Sequence, residues 1–368
     1  MDEERVPRDG AEQDGMMVYI DPNVIHSMAA VSAKKRAGLQ ELLSAAESGD
    51  LVAEYRLGMC YYEGSGGAEQ NDRQAFYWLD QAAEGGHIAA QYGAGLCWAG
   101  GVGTRQDFDR AAELYLAAAE QEYIPAVCEL GLCYELGRGV PQDKDKALEL
   151  YRTAAEQGFA PAQCRLGFFY YHGIAVKEDN EEAARLFALA AEQGYPRAQA
   201  LLGECYDLGC GVKKNEKQAA ELYRYAHEMG YAPATCSLAL CYETGTGVEQ
   251  DKAKAARLYR QAAEAGDARA QCCLGFFYYH GVAMKQDRVL AAEWFGRSAR
   301  QGYARGQYWL GECLEHGYGL PRDRKAALEY YHQAAEGGSK EAARALERLE
   351  KKHSRNPLKR LFRRERDD

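Results

Sequence analysis

Ser32-Ala-Lys-Lys35 has the S-x-x-K spacing of the penicillin-recognising enzymes, in which a serine nucleophile works beside a lysine. That acyl-transfer chemistry also needs S-D-N and K-T-G elements, and neither occurs in the chain. Glycine pairs such as Gly137-Arg-Gly139 could cradle a phosphate. A phosphate loop follows a strand and opens a helix inside a βαβ unit, whereas these pairs recur between helical patterns. Twelve cysteines and eight histidines could hold a metal, yet no C-x-x-C or H-E-x-x-H spacing is present. His172 and His280 close Tyr-Tyr-His-Gly segments, the position of a helix end. The expectation is therefore no catalytic residue, no cofactor and no metal.

The cysteines point instead to the elements that place them. Cys60, Cys97, Cys133, Cys205, Cys241 and Cys313 each stand two residues after a recurring glycine, and Cys128, Cys164, Cys236 and Cys272 three residues before it. Cys210 and Cys273 fall outside both positions. Pairs such as Cys128 and Cys133, five apart on one helix, point in different directions and cannot bridge. Reduced thiols packed as small hydrophobes are expected, in a cytoplasmic setting.

The recurring glycine belongs to a Leu-Gly pair that returns about every 36 residues in eight copies, among them Leu130-Gly131, Leu166-Gly167, Leu202-Gly203, Leu274-Gly275 and Leu310-Gly311. Copy two reads Ala94-Gly95 and copy six Leu238-Ala239. Such a period means stacked supersecondary units. Ala126, Leu130 and Tyr134 lie four apart, on one face of a first helix, A. The Leu-Gly glycine costs about 1 kcal/mol relative to alanine in a helix, so its recurrence predicts close approach by a neighbour. Helix A ends at Gly64, Gly101, Gly137, Gly173, Gly209, Gly245, Gly281 or Gly317, where glycine can take the left-handed turn. Asn71, Asp107, Asp143, Asp179, Asn215, Asp251, Asp287 and Asp323 then offer N-caps for a second helix, B. An alanine, an apolar-aromatic pair, a double alanine and a closing glycine complete most copies.

The motif A-x-x-x-L-G-x-x-Y-x-x-G-x-G-V-x-x-D…A…L-Y-x-x-A-A-x-x-G, read from Ala126 to Gly158, resembles the Sel1-like repeats, relatives of the tetratricopeptide repeat. The resemblance covers Leu51 to Gly338. It implies an all-α, right-handed α/α superhelical solenoid of eight helix-turn-helix repeats, about 51–86, 87–122, 123–158, 159–194, 195–230, 231–266, 267–302 and 303–338. Half-repeat caps are expected at 37–50, where Leu42 to Gly49 reads as a lone helix B, and at 339–353, a lone helix A. Copy one carries an extra loop residue, and three departures replace a glycine: Ala175 and Ala283 the second loop glycine of copies four and seven, and Glu122 the closing glycine of copy two. Some cysteine-rich members of that family are described as β-lactamases or penicillin binders. Those relatives link helix B to the next helix A by cysteines, whereas here the cysteines lie almost entirely on helix A.

Outside the repeats, residues 1–36 begin acidic, net −4 over the first fifteen, without the basic-then-apolar order of a signal peptide. Disorder is expected there, with Met17 to Val31 free to dock on the first helix. Residues 354–368 form a basic tail whose segment 357–364 mixes Leu358, Leu361 and Phe362 with four cations; a membrane surface or an acidic partner would suit it. The formal charge of −10 argues against general nucleic-acid binding, and no run of about 18 apolar residues spans a membrane.

The family implies that helix A lines a concave wall. Positions two before, one after and five after the Leu-Gly glycine share a stripe, and there the copies differ: Arg165/Phe168/His172, Leu201/Glu204/Leu208, Cys273/Phe276/His280 and Trp309/Glu312/His316, with Tyr171 and Tyr279 beside them. Variable residues on a constant scaffold are where a partner would be encoded, though Phe168 and Phe276 could equally pack between layers. A non-catalytic scaffold or adaptor binding a protein or peptide is expected. The alternatives are a β-lactamase-like or cell-wall-peptide-binding protein and a membrane-surface adaptor acting through the tail. A second period of 108 residues relates copies three to five with six to eight: QCRLGFFYYHG at Gln163–Gly173 returns as QCCLGFFYYHG at Gln271–Gly281. Duplication of a three-repeat block accounts for it; two equivalent binding segments along the superhelix are the functional alternative.

Overall fold

The computed structural model describes residues 37–354. The S-x-x-K segment, the acidic N-terminal stretch and the basic tail beyond residue 354 lie outside the described residues. Those described hold eighteen α-helices and no strand. They divide into two compact units: an N-terminal one of 37–198 with 210–212, and a C-terminal one of 199–209 with 213–354.

The N-terminal unit opens with α1 (Ala37–Glu47) and continues through α2 (Leu51–Glu63), α3 (Asp72–Glu84), α4 (Ile88–Gly100), α5 (Phe108–Ala119), α6 (Ile124–Leu136), α7 (Lys144–Glu156), α8 (Ala160–His172) and α9 (Asn180–Glu192). The division falls inside α10 (Pro196–Leu208). The C-terminal unit contains α11 (Glu216–Glu228), α12 (Ala232–Thr244), α13 (Lys252–Glu264), α14 (Ala268–His280), α15 (Arg288–Arg300), α16 (Ala304–His316), α17 (Arg324–Glu336) and α18 (Lys340–Ser354). Even-numbered helices from α2 to α16 are the A helices, and odd-numbered ones from α3 to α17 the B helices.

Capping chemistry sets the boundaries. Each of the eight expected Asn or Asp residues is the N-cap of a B helix, its side chain accepting from backbone amides of the first turn. Each such cap contributes about 1 kcal/mol. All eight glycines that end helix A have positive φ, between 64° and 81°. The three non-glycine residues with positive φ are the three sequence departures: Glu122 at 58°, Ala175 at 54° and Ala283 at 54°. The turn therefore keeps its backbone where its preferred residue is missing, at a strain cost of about 1–2 kcal/mol each.

The Leu-Gly glycine is the contact point of each helix pair. A Cβ on Gly131 would lie 2.8 Å from the Tyr151 ring, on Gly167 2.8 Å from Phe187, on Gly275 2.7 Å from Phe295 and on Gly311 2.6 Å from Tyr331. Those four rings are fully buried, each worth about 1.5–3 kcal/mol of apolar burial. Both ends are closed by half repeats. Ala46 of α1, with Leu39, Leu42 and Leu43, covers Leu57 and Trp78, and Ala342 and Ala345 of α18 cover Tyr331. Helix α1 begins at Ala37, five residues before the expected start at Leu42.

Candidate partner-binding face of the A helices

The structure separates the stripe residues by what they touch. In the N-terminal unit, the Arg165 guanidinium on α8 lies 3.6 Å from Glu135 on α6. The Tyr151 hydroxyl of α7 donates to the same carboxylate oxygen at 2.5 Å. Burial works against the charge on Arg165, but Tyr151 and Glu135 outweigh it and keep the guanidinium firmly protonated. Arg165 is thus largely spent on an internal pair. One turn further on, Phe168 and exposed His172 pack with ring centroids 4.2 Å apart. Arg197 lies 5.8 Å over Phe168, and Tyr171 touches both His172 and buried Phe187.

In the C-terminal unit the stripe gathers into one aromatic patch. Phe276 and exposed His280 repeat the 4.2 Å contact. Trp309 on α16 joins them, with centroids 5.7 Å from Phe276, 5.5 Å from Tyr279 and 6.3 Å from His280. Its other side stacks on fully buried Phe295 at 5.6 Å and 14°, so Trp309 is half core and half surface. Phe168 and Phe276 are likewise half-buried, each packed against a core cluster while still reaching the surface. Arg288 lies over Tyr279 and Tyr318 at 5.7 and 4.7 Å, a cation closing one edge of the patch.

Glu312 and His316, the last members of the stripe, belong to a different group. Glu312, Glu315 and His316 could offer three ligand atoms within 4.8 Å of one another, an arrangement the sequence reading did not detect. The positive charge there is supplied by the protein itself: Arg348 of α18 reaches Glu315 at 2.5 Å and Glu312 at 3.6 Å. The Tyr331 hydroxyl lies 2.7 Å from a Glu312 oxygen and 3.0 Å from a Glu315 oxygen, sharing its one proton between them. Glu315 is only 2% exposed, so these bonds fasten the last cap to copy eight. Glu204, half-buried on α10, adds to the burial that raises the Tyr223 phenol.

Two further patterns were legible in the sequence but went unread. The first matches the helix B ring to the residue four after the Leu-Gly glycine. Where that ring is Tyr151, Tyr223, Tyr259 or Tyr331, helix A carries Glu135, Asp207, Glu243 or Glu315; where it is Phe187 or Phe295, helix A carries Tyr171 or Tyr279. Tyr259 donates to Glu243 at 2.6 Å, as Tyr151 does to Glu135. Tyr115 is the exception that tests the rule: Ala99 stands opposite, and the Tyr115 hydroxyl is buried without a hydrogen-bond partner. The second is a glutamine four residues before the same glycine. Gln91, Gln163 and Gln271 accept from Gln121, Gln193 and Gln301 at 3.1, 2.9 and 2.9 Å. Gln163 and Gln271 also donate to Ala155 and Ala263 carbonyls at the end of the preceding B helix.

The Sel1 repeat model matches residues 51–87, 88–123, 124–159, 160–195, 196–231, 232–267, 268–303 and 304–339. The chain belongs to the Sel1 repeat family and is an all-α repeat solenoid. Among solved structures, it is similar to a protective antigen of uropathogenic Escherichia coli displaying the same repeat fold: 35% identity, 83% of this chain, TM-score 0.57. The match covers 65% of that antigen's own length. It is similar also to a Sel1 repeat protein from Oxalobacter formigenes, at 31% identity over 88% of this chain and 93% of that one, with a TM-score of 0.55. No curated protein matches the chain. No described helix is long and apolar enough to cross a membrane.

Proposed function

We propose that the protein is a non-catalytic scaffold or adaptor that holds a protein or peptide along the exposed faces of its A helices. The carrying observation is the patch of Phe276, Tyr279, His280 and Trp309. These four rings come from two successive A helices and lie in mutual contact. The constant positions of the repeat are already used for caps, turns and ring packing, which leaves this variable patch for recognition. Rigid aromatic groups seated on a packed base give large contact area at small entropic cost. Phe168, Tyr171 and His172 offer a smaller version in the N-terminal unit. A cytoplasmic setting fits twelve free thiols.

The test is affinity capture from the native cell with full-length protein, comparing wild type with Tyr279→Ser/His280→Ala. His280 is exposed and Tyr279 packs on the edge of a core cluster, whereas changing Trp309 would also strip Phe295 of its stacking partner. Loss of one or more captured partners, with the thermal melt unchanged, is the expected result. An identical partner set would remove the patch from consideration.

A further inference from the structure

Cys273 is one of the two cysteines that fall outside the repeat's cysteine positions, and no part of the scaffold requires it. It lies half-buried on the stripe of α14, packed against a core cluster that contains Cys236 of α12. Cys236 is 1% exposed. Each thiol acts on the other side chain to side chain, and α12 and α14 approach to within 8 Å between Cα atoms. Arg269 and Arg305 are the cations that act on Cys273, and Glu243 the carboxylate. Asp267, the N-cap of α14, accepts from the Ala270 amide at 2.6 Å and feels the Cys236 side chain.

We propose that Cys273 and Cys236 form a redox-active dithiol that exchanges with glutathione-class disulfides and closes into a bond between consecutive A helices. The roles follow from position: Cys273, the partly exposed residue of the two, attacks and fully buried Cys236 resolves. The Cys273 thiolate attacks one sulfur of the oxidised tripeptide, breaking its S–S bond, forming a mixed disulfide and expelling one glutathione thiolate. The Cys236 sulfur, giving up its proton, then attacks Cys273 and expels the second. Two protein thiols are oxidised, one small disulfide is reduced to two thiols, and the protons lost by the protein end on the departing glutathiones. Cys236 beside it holds the Cys273 thiol below its ordinary range, with Arg269 and Arg305 acting in the same direction against burial, while the same contact and burial push the Cys236 thiol up. Both guanidinium groups also suit the carboxylates of the incoming reagent.

No other cysteine has this setting. At the position equivalent to Cys273 one repeat block earlier stands Arg165, so Cys128, the equivalent of Cys236, has no second thiol at that position. The inference does not depend on what the aromatic patch binds. The test equilibrates folded, full-length protein in reduced and oxidised glutathione mixtures, blocks free thiols under native conditions and maps peptides by mass spectrometry. In the wild type, a Cys236–Cys273 linked peptide should predominate over every other disulfide as oxidised glutathione rises. Cys236→Ala should instead accumulate glutathione on Cys273, and Cys273→Ala should lower Cys236 oxidation at least tenfold. A Cys273 that remains a free thiol in excess oxidised glutathione would overturn the proposal. So would a mixed disulfide persisting in the wild type as it does in Cys236→Ala. The wild-type measurement decides the matter even if a variant fails to fold.

Discussion

Two blocks related by 108 residues answer the same packing problem with different chemistry. In the N-terminal unit Tyr151 donates to Glu135, and Arg165 completes the group with a guanidinium at 3.6 Å. In the C-terminal unit Tyr259 donates to Glu243 in the same way, but the residue in the place of Arg165 is Cys273, and the nearby cation, Arg269, comes from one turn earlier on α14. The phenol-to-carboxylate bond therefore belongs to the scaffold. What completes it is free to vary, as an ion pair in one block and a thiol pair in the other. A repeat can diversify function at such a site without disturbing its core, because each unit packs only on its neighbours.

The largest expected effect is common to both blocks and tests how alike their cores are. Burial pushes the thiols of Cys97 and Cys133 in the N-terminal unit, and of Cys241 and Cys313 in the C-terminal unit, up to about 12. An unfolded cysteine loses its proton near pH 8.5, so between roughly pH 9 and 12 the unfolded chain binds fewer protons than the folded one. The stabilisation is complete below that window and is lost as pH rises through it. Each thiol then costs about 1.4 kcal/mol per pH unit. Urea midpoints at pH 8, 9 and 10, in reductant, should fall steeply above pH 9. A flat profile would mean that these thiols are not buried as described.

Next in size is the difference between the blocks. Arg165→Ala strands the largely buried Glu135 and should cost about 2–4 kcal/mol, whereas Cys273→Ala removes one small side chain and should cost about 1 kcal/mol. Equal losses in urea unfolding would erase the distinction drawn here. The scaffold bond itself is sharper to probe. Tyr151→Phe and Tyr259→Phe should each lose about 1–2 kcal/mol. Tyr115→Phe, which removes an unpartnered buried hydroxyl, should be neutral or stabilising by about 1 kcal/mol. A comparable loss at all three positions would show that the carboxylate contributes nothing. The smallest effect is a gain: Ala175→Gly and Ala283→Gly, at φ 54° in equivalent turns of the two blocks, should each raise stability by about 1 kcal/mol, read as a higher melting temperature.

Most of the fold was legible from residue types and spacing. The left-handed glycines and the Asn or Asp caps act within a turn of their own position, so their effect is local and readable one copy at a time. The cap was expected from residue 37, but its helical pattern was read only from Leu42, because residues 37–41 carry no repeat signature; Leu39 packs on the first pair. The candidate site was legible only in part. The stripe set Phe276, His280 and Trp309 on A-helix faces with Tyr279 beside them, but Trp309 also stacks on Phe295 from the preceding B helix, and Arg165 is tied to Glu135, thirty residues back. The phenol-carboxylate pairing could have been found by comparing the copies two positions at a time. Single-position reading hides it, since each residue taken alone varies.

The sequence by itself determined the helix pairs, their caps, their turns and the glycine at each ring contact, because those features depend on backbone conformation and on side chains within one repeating unit. Only the tertiary structure decided which variable residues are surface and which are partners. Glu315 looks like an exposed helix-end acid until Arg348 of the last cap closes on it. Cys273 looks like a stray cysteine until α14 sets it against Cys236 of α12. In both cases the deciding neighbour comes from another repeat or cap, at a position that a single copy of the repeat does not contain.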